Sequence, residues 1–578
     1  MFGVITAAIV ASIPIFTDYF FIGQDCTFHL MRIEGLKDGI LSGQLPVRIQ
    51  PTWFQNNGYA VSVLYGDLFL YFPAILRLIG ISVQNSYKTY IFAINFITAI
   101  IAYYSFAKIS KSKFIGMMAS LVYTLSIYRF TDIYFRAAVG EYTAMAFFPL
   151  IIWGLYKIYT TETTKDNRII WFPLAIGYTG VIQSHVLSCE MVAFFSLIVL
   201  LAFWKRTFNK NVLKNLMKVL IVVIAINLNF IVPFLDYMRE NLKVKLFTSG
   251  NGIQSMGLPL AQLFAITPGG SARLNGFEMG MQKEMPMGLG ITFIVILFLL
   301  IIGLIRRDKD DKLCMPFRFA IAISTLAILL STDIFPYDFL IKFPVLKTLI
   351  NTLQFPFRFM GIVTVTLTLV ACYVVKYANI FYKSKVFWGL ILVISGLALY
   401  QGLIMSGDIL NTKEAVRIYS GEAAVMWDGG IGSAMYSPDY GVEYLPVETD
   451  VAAINKSFIL GDESVIMHNY NINYNKITIN LLNMLSERTF IEVPLIYYRG
   501  YEAVDIKTSG RLSVEMGNNG RIRVEIPPQY DGTFRIQFEE PAYWKGAMII
   551  SLISTFIIMF IFIKINKNKI ISKLKIIL

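Results

Sequence analysis

The feature that most constrains this chain is a succession of apolar runs of membrane-crossing length, separated by short loops whose charges are mostly positive. A helix needs about 20 apolar residues to cross a hydrocarbon core of about 30 Å. Such runs centre on Phe2–Ile22, Tyr90–Ala107, Phe114–Tyr128, Tyr142–Tyr156, Trp171–Gln183 and Val186–Trp204. Others follow at Leu216–Leu235, Met287–Ile305, Pro316–Ser331, Phe359–Tyr377, Val386–Met405 and Ala547–Ile563. The expectation is a polytopic α-helical membrane protein with about twelve spans. Hydrophobic residues are 56% and charged residues 15% of the chain, which excludes a disordered chain and an ordinary water-soluble enzyme. The first run lacks a positive leader and a small-residue cleavage site, so it reads as a membrane helix rather than a signal peptide.

Sidedness follows from the cations. The net charge is +13, but the lysines and arginines sit in clusters between apolar runs, as membrane topology requires, and not in a nucleic-acid-binding patch. These clusters are Lys108/Lys111/Lys113, Lys157/Lys165/Arg168, Lys205/Arg206/Lys210/Lys214, Arg306/Arg307/Lys309/Lys312, Lys383/Lys385 and the tail Lys564–Lys575. The apolar stretch 60–81 carries Gly66, Asp67, Pro73 and Arg77. Laid at the interface as a juxtamembrane helix, it lets every cluster and both termini fall on the cytoplasmic side. Counted as a span, it would reverse that order. Four widely spaced cysteines give neither a disulfide framework nor zinc-type spacing.

The long polar loops then lie outside. The longest, 406–544, is expected to be an extracytoplasmic β-sandwich-like domain. It follows a transmembrane domain over 1–405 and precedes a final transmembrane helix and basic tail over 545–578. Its strand signals are alternating segments: Lys476–Asn480, Phe490–Tyr497, Arg511–Glu515, Arg521–Glu525 and Thr533–Phe538. Gly517-Asn-Asn-Gly520 marks a hairpin between two of them.

Residues able to do chemistry concentrate on the same side. Asp25, His29 and Arg32 are spaced to share one face of a helix beginning near Asp25. Such an aspartate either caps that helix or, partly desolvated at the interface, takes a proton from a hydroxyl. Arg136 and Glu141 stand just before a span otherwise free of charge. They read either as interfacial anchors or as a phosphate contact and a second acid facing Asp25. His185 lies in a tight outer turn. With Asp25, His29 and Glu141 it completes a candidate donor set for a divalent metal ion, the alternative being an ordinary hydrogen-bonded histidine. Arg358 at the mouth of a span and Arg239 in another outer loop are either snorkelling cations or contacts to a lipid-linked phosphate. There is no P-loop, no His-Glu-x-x-His, and almost no charge within the spans. An enzyme of this kind, acting outside without a nucleotide site, needs a donor that is already outside.

The order of these features resembles the GT-C superfamily of polyprenol-dependent membrane glycosyltransferases. A first span leads to an outer acid, a juxtamembrane helix with Leu64-Tyr-Gly-Asp-Leu-Phe-Leu-Tyr-Phe-Pro73, two spans and a second acid. More narrowly, Phe28-His-Leu-Met-Arg-Ile33, Gly43-Gln-Leu-Pro-Val-Arg48, Arg136-Ala-Ala-Val-Gly-Glu141, Leu353-Gln-Phe-Pro-Phe-Arg358 and Val493–Ala503 are similar to a bacterial family. It is usually labelled 6-pyruvoyl-tetrahydropterin synthase-related membrane protein and is akin to YfhO-like proteins. The resemblance implies a GT-C fold and an inverting transferase of the cell membrane. Its donor would be a polyprenyl-phosphate sugar, its acceptor a cell-envelope glycopolymer. It implies Asp25 as acid/base, Glu141 as second acid and Arg358 as a donor-phosphate contact. The rival readings are a lipid-linked glycan transporter or flippase, which the uncharged spans oppose, and a non-catalytic envelope-assembly protein, which needs no convergence of Asp25, His29, Glu141 and His185.

Overall fold

The computed structural model describes residues 2–21, 23–161, 169–245, 252–266, 285–305, 314–381, 384–411, 417–419 and 441–577. The expected basic clusters at Lys165/Arg168 and Arg306–Lys312, with Lys383, lie outside the described residues, as does much of 412–440. The chain forms two compact units. The first comprises Met1–Cys26, Tyr87–Val223 and Thr248–Gly421; the second comprises Thr27–Ser86, Ile224–Phe247 and Glu422–Leu578. In the second unit the segment from Thr27 shares its core with the C-terminal strands.

The first unit is helical. Six described helices of the chain are long and apolar enough to cross a membrane: Val83–Ser110, Val139–Thr160, Lys210–Tyr237, Pro356–Ala378, Ser384–Asn411 and Ala542–Lys564. The other expected runs are helical but shorter, such as Phe2–Ala11, Phe172–Ile182 and Gly290–Ile305. Length alone therefore does not reach the expected twelve. In the first run Pro14 stands inside a 3-10 turn, Ile13–Ile15, that ends the helix early. Ser384–Asn411 runs beyond its expected end at Met405, since Met405 and Ile409, one turn apart, are both buried. Helices Phe148–Thr160 and Phe172–Ile182 lie close together because a Cβ on Gly154 would stand 2.5 Å from the Leu174 backbone nitrogen.

Between helices Phe148–Thr160, Val186–Ala202, Met315–Ser331 and Met360–Phe381 lies an apolar groove with a cavity volume of about 180 Å³. Ile151, Leu155, Val199, Phe319 and Leu369 line it. It begins at Ile362, one turn beyond Arg358, and extends to Tyr373 and Arg206. The helical rise makes that run about 17 Å. The unit also carries an antiparallel strand pair, β1 (Tyr19–Phe21) with β2 (Arg417–Tyr419).

The second unit is a β-sandwich with helical additions. One sheet has the order β3 (Ile459–Leu460), β6 (Thr489–Ile496), β10 (Arg521–Ile526), β9 (Val514–Met516). The other runs β4 (Val465–Asn473), β5 (Lys476–Asn483), β11 (Asp531–Phe538), β7 (Tyr501–Asp505), β8 (Arg511–Leu512). Alternate residues such as Ile477, Ile479, Ile522 and Val524 close one apolar core, as period-2 alternation requires. Trp53, Phe54 and Tyr59 belong to that same core, which is why 27–86 joins this unit. The expected strand Arg511–Glu515 is two strands, because the chain crosses from one sheet to the other at Ser513. The hairpin at Gly517–Gly520 is present, with Asn519 at φ 54°.

Candidate active site

The site grows from the segment between two helices of the first unit. Helix Ile127–Phe130 passes into one π-turn, Thr131–Phe135, closed by Arg136 N–H donating to the Thr131 carbonyl at 2.9 Å. Ala137 then takes φ 52°, reversing the chain into helix Val139–Met145 with Glu141 in its first turn. This fold-back brings Tyr128, Asp132, Arg136 and Glu141 together. Arg136 Nη1 donates to Asp132 Oδ1 and, at 2.8 Å, to Glu141 Oε2. Tyr128 donates to the other Glu141 oxygen. Arg358 Nε approaches Glu141 Oε2 at 3.4 Å from the 3-10 turn Pro356–Phe359. All five side chains are buried.

Asp25 rests on this nest through its backbone. Gln24 N–H donates to the Phe135 carbonyl at 3.0 Å and Asp25 N–H to the Arg136 carbonyl at 2.8 Å. The approach requires Gly23, since a Cβ there would stand 2.7 Å from the Ala137 Cβ. The Asp25 side chain is solvent-accessible, yet enough protein surrounds it that burial raises its pKa above the ordinary carboxylate value. Arg136 and Arg358 act in the opposite direction, and Glu141 adds to the rise. Among the described residues no donor is hydrogen-bonded to the Asp25 carboxylate.

Asp25, Arg136, Glu141 and Arg358 thus converge. His185 caps helix Val186–Ala202, its Nδ1 accepting from Ser188 N–H at 3.3 Å, and lies within electrostatic reach of Glu141. His29 and Arg32, on helix Cys26–Leu41, belong to the second unit. There His29 Nδ1 lies 3.3 Å from Arg32 Nη1, and Arg32 is ion-paired with Asp67. Arg239 is an exposed residue of the second unit, just past the helix that ends at Tyr237. Of the expected donor set Asp25, His29, Glu141 and His185, one member is already engaged by protein donors. Glu141 already accepts from Tyr128 and Arg136, and among the described residues no group of three or more His, Cys, Asp and Glu side chains is placed to hold an ion.

Sequence reasoning missed Tyr128 and Asp132. Asp132 stands four residues before Arg136, a spacing that signals an ion pair on a helix. Nothing in the sequence marks Tyr128 apart from the chain's other tyrosines.

No family model matches the chain. An uncharacterized protein of Lactococcus lactis subsp. cremoris (strain MG1363) is 24% identical over 335 residues, 57% of this chain and 52% of that protein. The alignment thus spans about half the length of that relative. Among solved structures, the arabinofuranosyltransferase AftD from Mycobacteria superposes with a TM-score of 0.46 at 12% identity, over 74% of this chain and 28% of AftD. ArnT from Cupriavidus metallidurans, bound to undecaprenyl phosphate, superposes with a TM-score of 0.39 at 8% identity, over 73% of this chain and 78% of ArnT. At these scores the superpositions leave the reaction open.

Proposed function

We propose that the chain is an integral membrane glycosyltransferase of GT-C type, transferring a sugar from a polyprenyl phosphate to a cell-envelope glycopolymer. The observation that carries this reading is the exposed Asp25 carboxylate, held by its backbone against Arg136 and within electrostatic reach of the buried Arg136 and Arg358. The apolar groove supports it by beginning one turn from Arg358, so that an anionic headgroup held by the arginines would leave its isoprenoid tail against the helices. The site faces outward in this reading, with both termini cytoplasmic and the β-sandwich outside.

Asp25 accepts the proton of an acceptor hydroxyl. The oxygen's electron pair forms the bond to the anomeric carbon with inversion, and the bond from that carbon to the phosphate oxygen breaks. The pair leaves with the lipid phosphate, whose added negative charge Arg136 and Arg358 neutralise from positions fixed beforehand. A raised basicity suits Asp25 to this work, because a general base is most effective when its pKa approaches the working pH. Glu141 has its oxygens engaged by Tyr128 and Arg136, so its part is to hold the arginines rather than to move a proton. No step calls for a metal ion.

The test is transfer from a panel of polyprenyl-phosphate sugars by purified protein, to water or to an envelope glycan, with Asp25→Asn as control. Transfer by the native chain that the variant lacks while remaining folded supports the reading. An Asp25→Asn protein as active as the native one would remove the assignment.

A further inference from the structure

The turn that delivers Arg358 is strained. Helix Pro344–Leu353 ends two residues before Phe355, which precedes Pro356 and is held extended at φ −135°, ψ 121°. A single residue, Gln354, is left to reverse the chain, and it does so at φ 63°, ψ −52°. The Phe355 N–H donates back to the Leu353 carbonyl at 2.7 Å, closing a γ-turn of the positive-φ kind, which is rare and costly for a residue with a Cβ. Glycine would fit the backbone better, so a glutamine here calls for a reason in its side chain.

The side chain supplies that reason. Arg358 Nη1 donates to the Gln354 side-chain oxygen at 2.9 Å and to the Leu353 carbonyl at 3.0 Å. The γ-turn aims both acceptors at one nitrogen. That leaves Arg358 Nε turned toward Glu141, buried and, among the described residues, without a hydrogen-bond partner of its own. Gln354 itself is exposed, so it fills no core position that would explain it by packing. The same helix end is fixed by Thr352, whose hydroxyl donates to Glu190 at 2.8 Å, which helps hold the turn in its strained form.

We propose that Gln354 is a positioning residue that sets the Arg358 guanidinium for the phosphate of the lipid-linked donor. This rests on the donor reading above. A neutral acceptor orients the guanidinium without cancelling its charge, whereas a carboxylate at the same place would compete with the phosphate for it.

The experiment measures binding of undecaprenyl phosphate and of undecaprenol, its uncharged counterpart, to the purified chain and to Gln354→Glu, Gln354→Gly and Arg358→Gln. Gln354→Glu keeps the side chain's size, and Gln354→Gly suits the backbone, so both are expected to fold, with unfolding temperature as the check. The expected result is phosphate binding weakened about tenfold by Gln354→Glu and a few-fold by Gln354→Gly, with undecaprenol binding unchanged. A merely structural role would move both lipids together or neither. If the native chain binds the phosphate, Arg358→Gln weakens it and Gln354→Glu does not, the role of Gln354 is overturned while the donor reading stands. If the native chain shows no preference for the phosphate over the alcohol, the donor reading falls and takes this inference with it.

Discussion

Asp25 in the first unit and Asp236 in the second occupy similar places in the sequence, each beside the end of an apolar run, yet the structure treats them oppositely. Asp236 is buried and saturated. Tyr543 and Trp544 donate to one of its oxygens, the latter at 3.1 Å, and Arg499 donates to the other at 3.1 Å. It ties the end of helix Lys210–Tyr237 to the start of the last helix and to the β-sandwich. Among the described residues Asp25 is anchored through its backbone alone, and its carboxylate lies within electrostatic reach of arginines that other carboxylates already hold. A carboxylate with all its donors supplied by protein is cement; one whose charge is left for something else is a reagent. The same contrast separates Glu141 from Asp25 within a single site.

The largest expected effect that could break this contrast is on rate. Asp25→Asn should lower transfer about a thousandfold while the unfolding temperature stays near native, as befits a general base. Asp236→Ala should do the reverse, costing about 1–3 kcal/mol of stability by stranding the buried Trp544 N–H, while activity per folded molecule is kept. Thermal unfolding and transfer, measured side by side, decide it, and equal loss of both in either variant would erase the distinction.

Next comes Glu141→Ala, which leaves Arg136 and Arg358 buried without their shared partner. A loss of about 3–5 kcal/mol is expected, visible as a lowered unfolding midpoint. A variant as stable as the native chain would show that the arginines are paired by something else.

The pH profile sharpens the contrast. Asp25 works deprotonated, and burial raises its pKa, so the rate should fall on acidification at a pH above the ordinary carboxylate range. An acid limb at or below that range would contradict the enclosure of Asp25.

The smallest effect is confined to the second unit. Phe54, Gln55 and Asn56 form a short left-handed run at φ 52°, 59° and 66°. Asn56→Val should cost about 1–2 kcal/mol, while Asn56→Gly should be near neutral, because asparagine and glycine tolerate this region and a β-branched residue does not. Unfolding of the two variants tests it.

How much was legible depended on whether a signal was local. Apolar runs became helices and alternating segments became strands, because periodicity reflects burial on one face. β4 escaped notice for the same reason: at the sheet edge, Tyr470 is 52% and Ile472 41% exposed, so its two faces carry no contrast. Asp25, Glu141, Arg136 and Arg358 stood out as charges beside apolar runs. That His29 lies against Arg32, itself ion-paired with Asp67, was not visible, since spacing on a helix gives a shared face but not what the face meets.

By itself, the sequence determined that this chain has membrane-length apolar helices, a β-sandwich near its end and a few charges at helix mouths. Hydropathy and period are properties of neighbouring residues, and they suffice for that much. Only the tertiary structure decided which charges meet. A π-turn, a left-handed alanine and a glycine without a Cβ bring residues 25, 132, 136 and 141 together, and the turn at Gln354 adds Arg358. Which carboxylate is saturated and which is left accessible depends on donors far away in the chain, and only folding places those.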